Sequence, residues 1–336
     1  MHDVALQAGV STATVSYVLN QRAAEVSEAT RLRVRRAVEM LGYQPNALAR
    51  SLAGRPSHTL GLLWAESGSG PGDDGLSSFL AGLGEVLYTA GYTLALAGGV
   101  SPNELALRLD ELLSRQVDGL ILLAAAFPDD ERLIRRLAEG ACPLVVCGAA
   151  PEGIPAARVD INQAEGMQLA TAHLLALGHR RLAYLDAPGE WPYRGRREGF
   201  LTAVRGSNPA PESILIATNG GESSGYQVGE RLLRASHPPT AFVCANDALA
   251  IGLMRAAWSQ GVAIPEEVAV VGFGDSPAAA YTVPALTTVR GSLRAVGADA
   301  GRVLVEAVAT GEPAKGTYLT SPKLVIRESC GSHLWL

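Results

Sequence analysis

Small hydroxyl side chains cluster in one short stretch near the N-terminus, between Gly9 and Asn20. The stretch is predicted to contain the end of one helix, a tight turn, and a second helix with a polar outer face. Hydroxyl groups on such a face donate and accept hydrogen bonds, which suits contact with base edges. This layout is typical of a helix-turn-helix, whose second helix enters the major groove of DNA.

The charge distribution agrees with a nucleic-acid-binding head on an acidic body. Residues 1–56 contain seven Arg and no Lys against four acidic residues, a formal charge of +3. The whole chain carries −5, so the remainder carries −8. An asymmetry of this kind favours a DNA-binding module.

The head is predicted to be all-helical. A short helix from Asp3 to Ala8 ends at Gly9, Ser11 caps the next helix, and Ser27 caps a third that Gly42 ends. Apolar residues at helical spacing predict a minimal three-helix core formed by Ala5, Val10, Val15, Leu19, Val34, Val38 and Leu41. The following stretch, 45–52, is barely two turns long and should form a helix only when something packs on it.

From Thr59 onward, apolar strands alternate with helices, and the pattern restarts after Asp160. This βα alternation predicts an α/β fold with two doubly wound, mainly parallel sheets. Ligands of such sheets bind beyond the carboxyl ends of the strands, so the cleft between two facing subdomains is the expected binding site.

Several other chemistries find no support in the residues. The four cysteines show no CxxC spacing and are predicted to be inert buried thiols, and the six histidines show no metal-ligand spacing. Gly82-Leu83-Gly84 lacks the third glycine of a dinucleotide fingerprint. No catalytic residue, metal or cofactor is predicted. Since no export signal or membrane-length apolar run is seen, a cytoplasmic location is expected.

The chain resembles the LacI/GalR family of transcriptional regulators over nearly its whole length. The stretches that carry the resemblance are GVSTATVS-VLN, VSEATRLRVRRAVEMLGYQPNALARSL, VDGLILL, LALGHRRLAYL, VCANDALAIGLMRA, IPEEVAVVGF, PALTTVR and LVIRES. The resemblance implies a helix-turn-helix head and a periplasmic-binding-protein-like core. The implied divisions are a DNA-binding domain, 1–44; a hinge helix and linker, 45–56; a first subdomain, 57–158 with 288–316; and a second subdomain, 159–287 with 317–331.

The resemblance also implies which head residues contact DNA. Thr12, Ala13 and Ser16 would point toward base edges, while Tyr17 replaces the usual guanine-reading Arg. A phenol cannot form the bidentate pair with guanine, so the operator is expected to differ at that position, with contact to a phosphate as the alternative. In the hinge, Leu52 would insert into the minor groove, and Asn46 and Arg50 would touch the DNA backbone.

In the core, the resemblance implies that Asn246 and Asp247 face the cleft and bind an effector, often a sugar, although Asp247 could merely cap a helix. The resemblance places an effector-binding Arg at Arg194 or, as the alternative, at Arg196. Where the family usually has an Asp-Asp pair, this chain has Gly274-Asp275, so that only the second carboxylate is present. Other usual pocket residues are absent, so an ordinary hexose is in doubt, and Trp191 and Tyr193 are the aromatic residues available for stacking.

The function expected is an effector-responsive repressor, not an enzyme, that binds a near-palindromic operator as a homodimer. A small molecule in the cleft would change the subdomain closure and thereby the hinge helices. The alternative is a cytosolic, sugar-type solute-binding protein without productive DNA binding.

Overall fold

The chain has been analysed as a computed structural model, which describes residues 1–19, 26–42, 56–65, 73–99, 102–114, 117–123, 131–138, 140, 142–148, 153–189 and 192–332. It separates into two compact units, Met1–Ser57 and His58–Leu336.

The first unit contains three short helices, whose ends follow the local sequence. They are α1 (His2–Ala8), α2 (Thr12–Leu19) and α3 (Glu28–Met40). Gly9 ends α1 in the left-handed conformation with φ 63°. The hydroxyl oxygens of Ser11 and Ser27 accept hydrogen bonds from the backbone N–H groups of Thr14 and Thr30, as expected of N-caps.

The head core differs in part from the predicted set. Val15 and Val34 are fully buried, as expected, and Val10, Leu19 and Val38 pack partly buried against them. The prediction of Leu41 as a core residue is wrong, because α3 ends before it and its side chain is 46% exposed. The buried residues that the sequence prediction missed are Val4, Ala8, Val18 and Ala37.

The second unit alternates strands and helices. Its strands are β1 (Thr59–Ala65), β2 (Thr93–Gly99), β3 (Gly119–Leu123), β4 (Leu144–Cys147), β5 (Ala157–Ile161), β6 (Arg181–Asp186), β7 (Glu212–Ala217), β8 (Ala241–Cys244), β9 (Ala269–Phe273), β10 (Thr287–Arg290), β11 (Thr317–Thr320) and β12 (Lys323–Val325). Its helices are α4 (Asp73–Ala90), α5 (Pro102–Ser114), α6 (Glu131–Ala138), α7 (Gln163–Ala176), α8 (Tyr193–Gly206), α9 (Glu222–Leu232), α10 (Asp247–Gln260) and α11 (Leu293–Thr310).

These strands form two sheets, as the restart in the sequence predicted. The first has the order β11-β5-β4-β3-β1-β2 and is parallel throughout. The second has the order β12-β10-β9-β8-β6-β7, with only the β10–β12 pair antiparallel. Each sheet has its own apolar core.

Residues 317–320 lie in the first sheet, not in the second subdomain as the sequence interpretation had them. Strand β11 pairs in parallel with β5, and Thr317 lies opposite Arg158. The chain then crosses to β12 in the second sheet, as it also does after β5, and it returns after β10. Where two of these crossings meet, Gly291 lies so close to Ile161 that a Cβ atom would collide with its side chain.

Helices pack in pairs through close glycine contacts. Gly82 on α4 lies against the backbone of α11, and Gly252 on α10 lies against the backbone of α9. Among the helices that the structure describes, none combines the length and apolar character needed to cross a membrane.

Candidate functional site

The outer face of α2 carries the residues predicted to contact DNA. Thr12 and Ala13 are exposed, Ser16 is part-buried, and Tyr17 is 40% exposed. Val15 and Val18 point the opposite way into the head core, because residues three apart share one side of a helix. The outer face is therefore presented to solvent, with Thr12, Ala13 and Tyr17 exposed. Asn46, Arg50 and Leu52, predicted in the hinge, lie outside the described residues.

In the second unit, polar residues gather at the carboxyl edge of the second sheet, where β6, β7, β8 and β9 end. Asn246 follows β8 and caps α10, its Oδ1 accepting from the Leu249 N–H at 2.8 Å. Its Nδ2 donates to the Gly220 carbonyl oxygen at 2.9 Å, beyond the end of β7. Asn246 thus ties two neighbouring loops of this edge together.

Asp247 is buried and turned toward the β9 and β10 strands. Its Oδ1 accepts from the Thr288 hydroxyl at 2.5 Å, and its Oδ2 accepts from the Ser276 N–H at 2.6 Å. Burial raises the pKa of this carboxyl, although these hydrogen bonds act to lower it. With 3% of its surface exposed, Asp247 braces the loop after β9 and is not itself the helix cap.

Asp275 begins that loop in the left-handed region, with φ 51°. Its carboxylate bridges two arginines: Oδ1 accepts from Arg327 Nη2 at 2.6 Å, and Oδ2 accepts from Arg290 Nε. Burial acts to raise the pKa of Asp275, but the hydrogen bonds and charges of Arg327 and Arg290 outweigh it, and the pKa lies below its usual value. The Asp275 carboxylate therefore bridges two arginines, whose positive charges balance its negative charge.

The sequence left Arg194 and Arg196 as alternatives, and the structure separates them. Arg194 is exposed on the outer side of α8, where Nε pairs with Glu198 Oε1 at 3.1 Å. Arg196 points inward, its guanidinium carbon 3.8 Å from the ring centre of Phe273 at the end of β9. Arg196, and not Arg194, thus lies at the carboxyl edge.

Residues that sequence reasoning missed hold Arg196 in place. Its Nε donates to Gln163 Oε1 at 2.9 Å, and its Nη1 donates to the Ala245 carbonyl at 2.6 Å. Gln163 is the first residue of α7, and nothing in the local pattern distinguishes it from an ordinary helix start. Tyr193 is part-buried with its ring centre 5.3 Å from the Arg196 guanidinium carbon, while Trp191 lies outside the described residues.

The cysteines divide into two groups. Burial strongly raises the thiol pKa of Cys147 and Cys244, and burial with the nearby Asp118 raises that of Cys142 to about 11. In Cys330, burial is outweighed by hydrogen bonds from His173, Thr287 and Ser332, which lower the pKa to about 6. Cys330 is nevertheless buried, as predicted, and its Sγ lies 3.3 Å from His173 Nε2.

Comparisons with known proteins match both units. Residues 1–46 match the family model described as bacterial regulatory proteins, lacI family, and residues 171–330 match the periplasmic binding protein-like domain. The HTH-type transcriptional repressor PurR of Mannheimia succiniciproducens is 31% identical over 97% of both chains. PurR of Yersinia pestis is 33% identical over 97% of this chain and 95% of that protein.

Solved structures agree with this match. A lac repressor dimer bound to operator and the anti-inducer ONPF is similar with a TM-score of 0.80 and 27% identity, covering 98% of each chain. A complex of the transcriptional regulator CelR with cellobiose is similar with a TM-score of 0.70 and 30% identity, covering 97% of this chain and 98% of that one.

Proposed function

The chain belongs to the lacI family of bacterial regulatory proteins, and we propose that it is a transcriptional repressor regulated by a small molecule. The head binds operator DNA through the outer face of α2, and the core binds the effector at the carboxyl edge that Arg196 marks. The observation that carries this proposal is the presence, in one chain, of a helix-turn-helix with a solvent-exposed outer face on α2 and a two-sheet core with a polar edge. Its relatives are transcriptional repressors, which favours binding over catalysis.

The proposed DNA contacts come from α2 and from the hinge. Thr12, Ala13 and Ser16 read base edges, and Tyr17 contacts either a base or a phosphate. In the hinge, 45–56, we propose that Leu52 enters the minor groove and that Asn46 and Arg50 contact the DNA backbone. The proposed location of the protein is the cytoplasm, where bacterial DNA lies.

In the core, the structure supports different roles for the predicted effector residues. Arg196 is the proposed direct contact, with Tyr193 and Trp191 as the available aromatic groups. Asn246, Asp247 and Asp275 hold the surrounding loops, since their side chains bond to residues of neighbouring loops and strands. Arg194 lies on the outer side of α8 and serves as a matched control for Arg196.

Selection from a pool of random duplexes tests the DNA-binding function. The full chain is expected to select a near-palindromic site, because a dimer presents two copies of the same face. Tyr17→Arg should add a preference for guanine at one position of each half-site, since the Arg fork pairs with guanine O6 and N7. Selection of no common sequence by either protein would instead favour a solute-binding protein without productive DNA binding.

Two exposed apolar side chains are candidates for the contact between the two protomers. Tyr281 and Val283 are 86% and 93% exposed, just beyond the 3-10 helix Pro277–Ala280. These two side chains are only two residues apart in the chain, and adjoining exposed apolar side chains are candidates for a protein–protein contact, whereas scattered single ones are common. We expect Tyr281→Asp combined with Val283→Asp to convert the dimer to a monomer in sedimentation velocity, because a contact formed by this segment would have to bury the added carboxylates.

The control for this experiment is Leu107→Asp, which changes a side chain 66% exposed on α5. It should remain a dimer. A dimer that survives the double change at 281 and 283, at the concentrations where Leu107→Asp is also dimeric, would place the interface elsewhere.

A further inference from the structure

Among the described residues, the carboxylates at the carboxyl edge of the second sheet all accept hydrogen bonds from the protein. Asp275 bridges Arg290 and Arg327, and Asp186 accepts from Arg197 Nη1 at 2.7 Å. Asp247 accepts from Thr288 and from the backbone of Ser276. Across the crossing from β5, Asp160 pairs with Arg158 at 2.8 Å. Each of these carboxylates therefore has its charge or at least one oxygen satisfied by groups of the protein itself.

The hydrogen-bond partners of Arg196, in contrast, are uncharged. Its two hydrogen bonds go to the neutral oxygens of Gln163 and Ala245, and its flat face lies on Phe273. Within the described part of the chain, no carboxylate lies in ion-pair range of this guanidinium. The nearest acidic groups that act on it are Asp247 and Asp160, and both have their own partners. Its Nη2 has no hydrogen-bond partner among the described residues.

A part-buried cation without a carboxylate in ion-pair range is costly, because burial reduces its hydration and the attraction of the more distant Asp247 and Asp160 does not fully compensate. Burial lowers the pKa of Arg196 to about 10, so the side chain is still charged at neutral pH. The cost is offset if a bound ligand supplies the negative charge. Guanidinium groups bind carboxylate and phosphate oxygens through short, charge-assisted hydrogen bonds.

We propose that the effector carries an oxyanion, a carboxylate or a phosphate, that binds Nη2 of Arg196. This inference rests on the proposed function, since it concerns the effector of that same site. Gln163 is the positioning residue: its amide oxygen orients the guanidinium through Nε and keeps the other edge for the ligand. Its neutral amide is essential to this arrangement, because a carboxylate at the same place would neutralise Arg196 from within the protein.

Thermal unfolding of the full chain in inorganic phosphate, acetate or glucose, at constant ionic strength, tests the proposal. Phosphate or acetate should raise the unfolding midpoint by about 3 °C at ten times Kd. Glucose, the neutral probe, should have a smaller effect. The two anions distinguish a phosphate site from a carboxylate site.

Variants at three positions test whether the stabilising effect of the anions arises from binding at Arg196. Arg196→Met and Gln163→Glu should weaken the anion effect about tenfold or more, and Arg194→Met, on the same helix but exposed, should leave it unchanged. Arg196→Lys keeps the charge and should retain part of the anion effect. Comparison with this variant shows whether Arg196→Met loses the effect through loss of the charge or through loss of folding.

Equal anion effects in the natural chain and Arg196→Met would overturn the proposal, and so would stabilisation by glucose alone. The selection of operator DNA separates this failure from failure of the proposed function. If a near-palindromic site is still selected, the chain remains a DNA-binding regulator and only the anionic nature of its effector is rejected.

Discussion

Val15→Asp is expected to abolish operator binding by unfolding the head. Val15 is fully buried on the inner side of α2, within a core of only a few apolar residues. A buried carboxylate without a partner costs about 4 kcal/mol or more, which such a small core cannot offset. We expect operator affinity to fall by more than about 100-fold in fluorescence anisotropy, and the head amides to lose protection from hydrogen exchange.

Ala13→Asp is the matched variant on the outer face of the same helix. It should also weaken binding, because a carboxylate would face the DNA phosphates, but the head amides should stay protected. Both variants should keep the anion response of the core, since the second unit has its own hydrophobic clusters. Protected head amides in Val15→Asp, or full operator affinity in Ala13→Asp, would contradict the orientation of α2.

Gly82→Ala is expected to destabilise the core strongly. A Cβ atom at this position would collide with the backbone carbonyl oxygen of Arg294, where α4 crosses α11. A backbone group cannot rotate away as a flexible side chain can, so the two helices must separate. We expect a loss of about 3 kcal/mol in the free energy of unfolding, measured by denaturant titration of the second-unit transition.

Gly84→Ala, two residues further along α4, should have the opposite sign. Gly84 is exposed and has no atom within 4 Å of the added Cβ. Alanine is the better helix former by about 0.5–1 kcal/mol, so this variant should be more stable than the natural chain. If Gly82→Ala stabilised the chain to the same extent, helix propensity alone would govern both positions and the close packing would be refuted.

Much of the local structure could be predicted because its causes are local. Gly9, Ser11 and Ser27 set helix ends through the backbone conformation or hydrogen bonds of residues two or three positions apart. Strand β8, at 241–244, is a short continuous apolar run, which is typical of a buried parallel strand. The division into two sheets followed from the restart of the βα pattern.

The roles at the carboxyl edge could not be predicted in this way. Arg194 and Arg196 are two residues apart and identical in type, so local sequence does not separate them. Their difference comes from Gln163, Ala245 and Phe273, which approach Arg196 from distant parts of the chain. Likewise, only pairing with β5 shows that 317–320 lies in the first sheet.

The sequence by itself determined the helix-turn-helix, the alternation of strands and helices and the family resemblance, because periodicity, caps and motifs are properties of neighbouring residues. The tertiary structure alone decided which arginine is turned inward, that Asp247 and Asp275 brace loops, and which sheet receives β11. These depend on contacts between residues far apart in the chain, where burial and hydrogen-bond partners are set by how the elements pack.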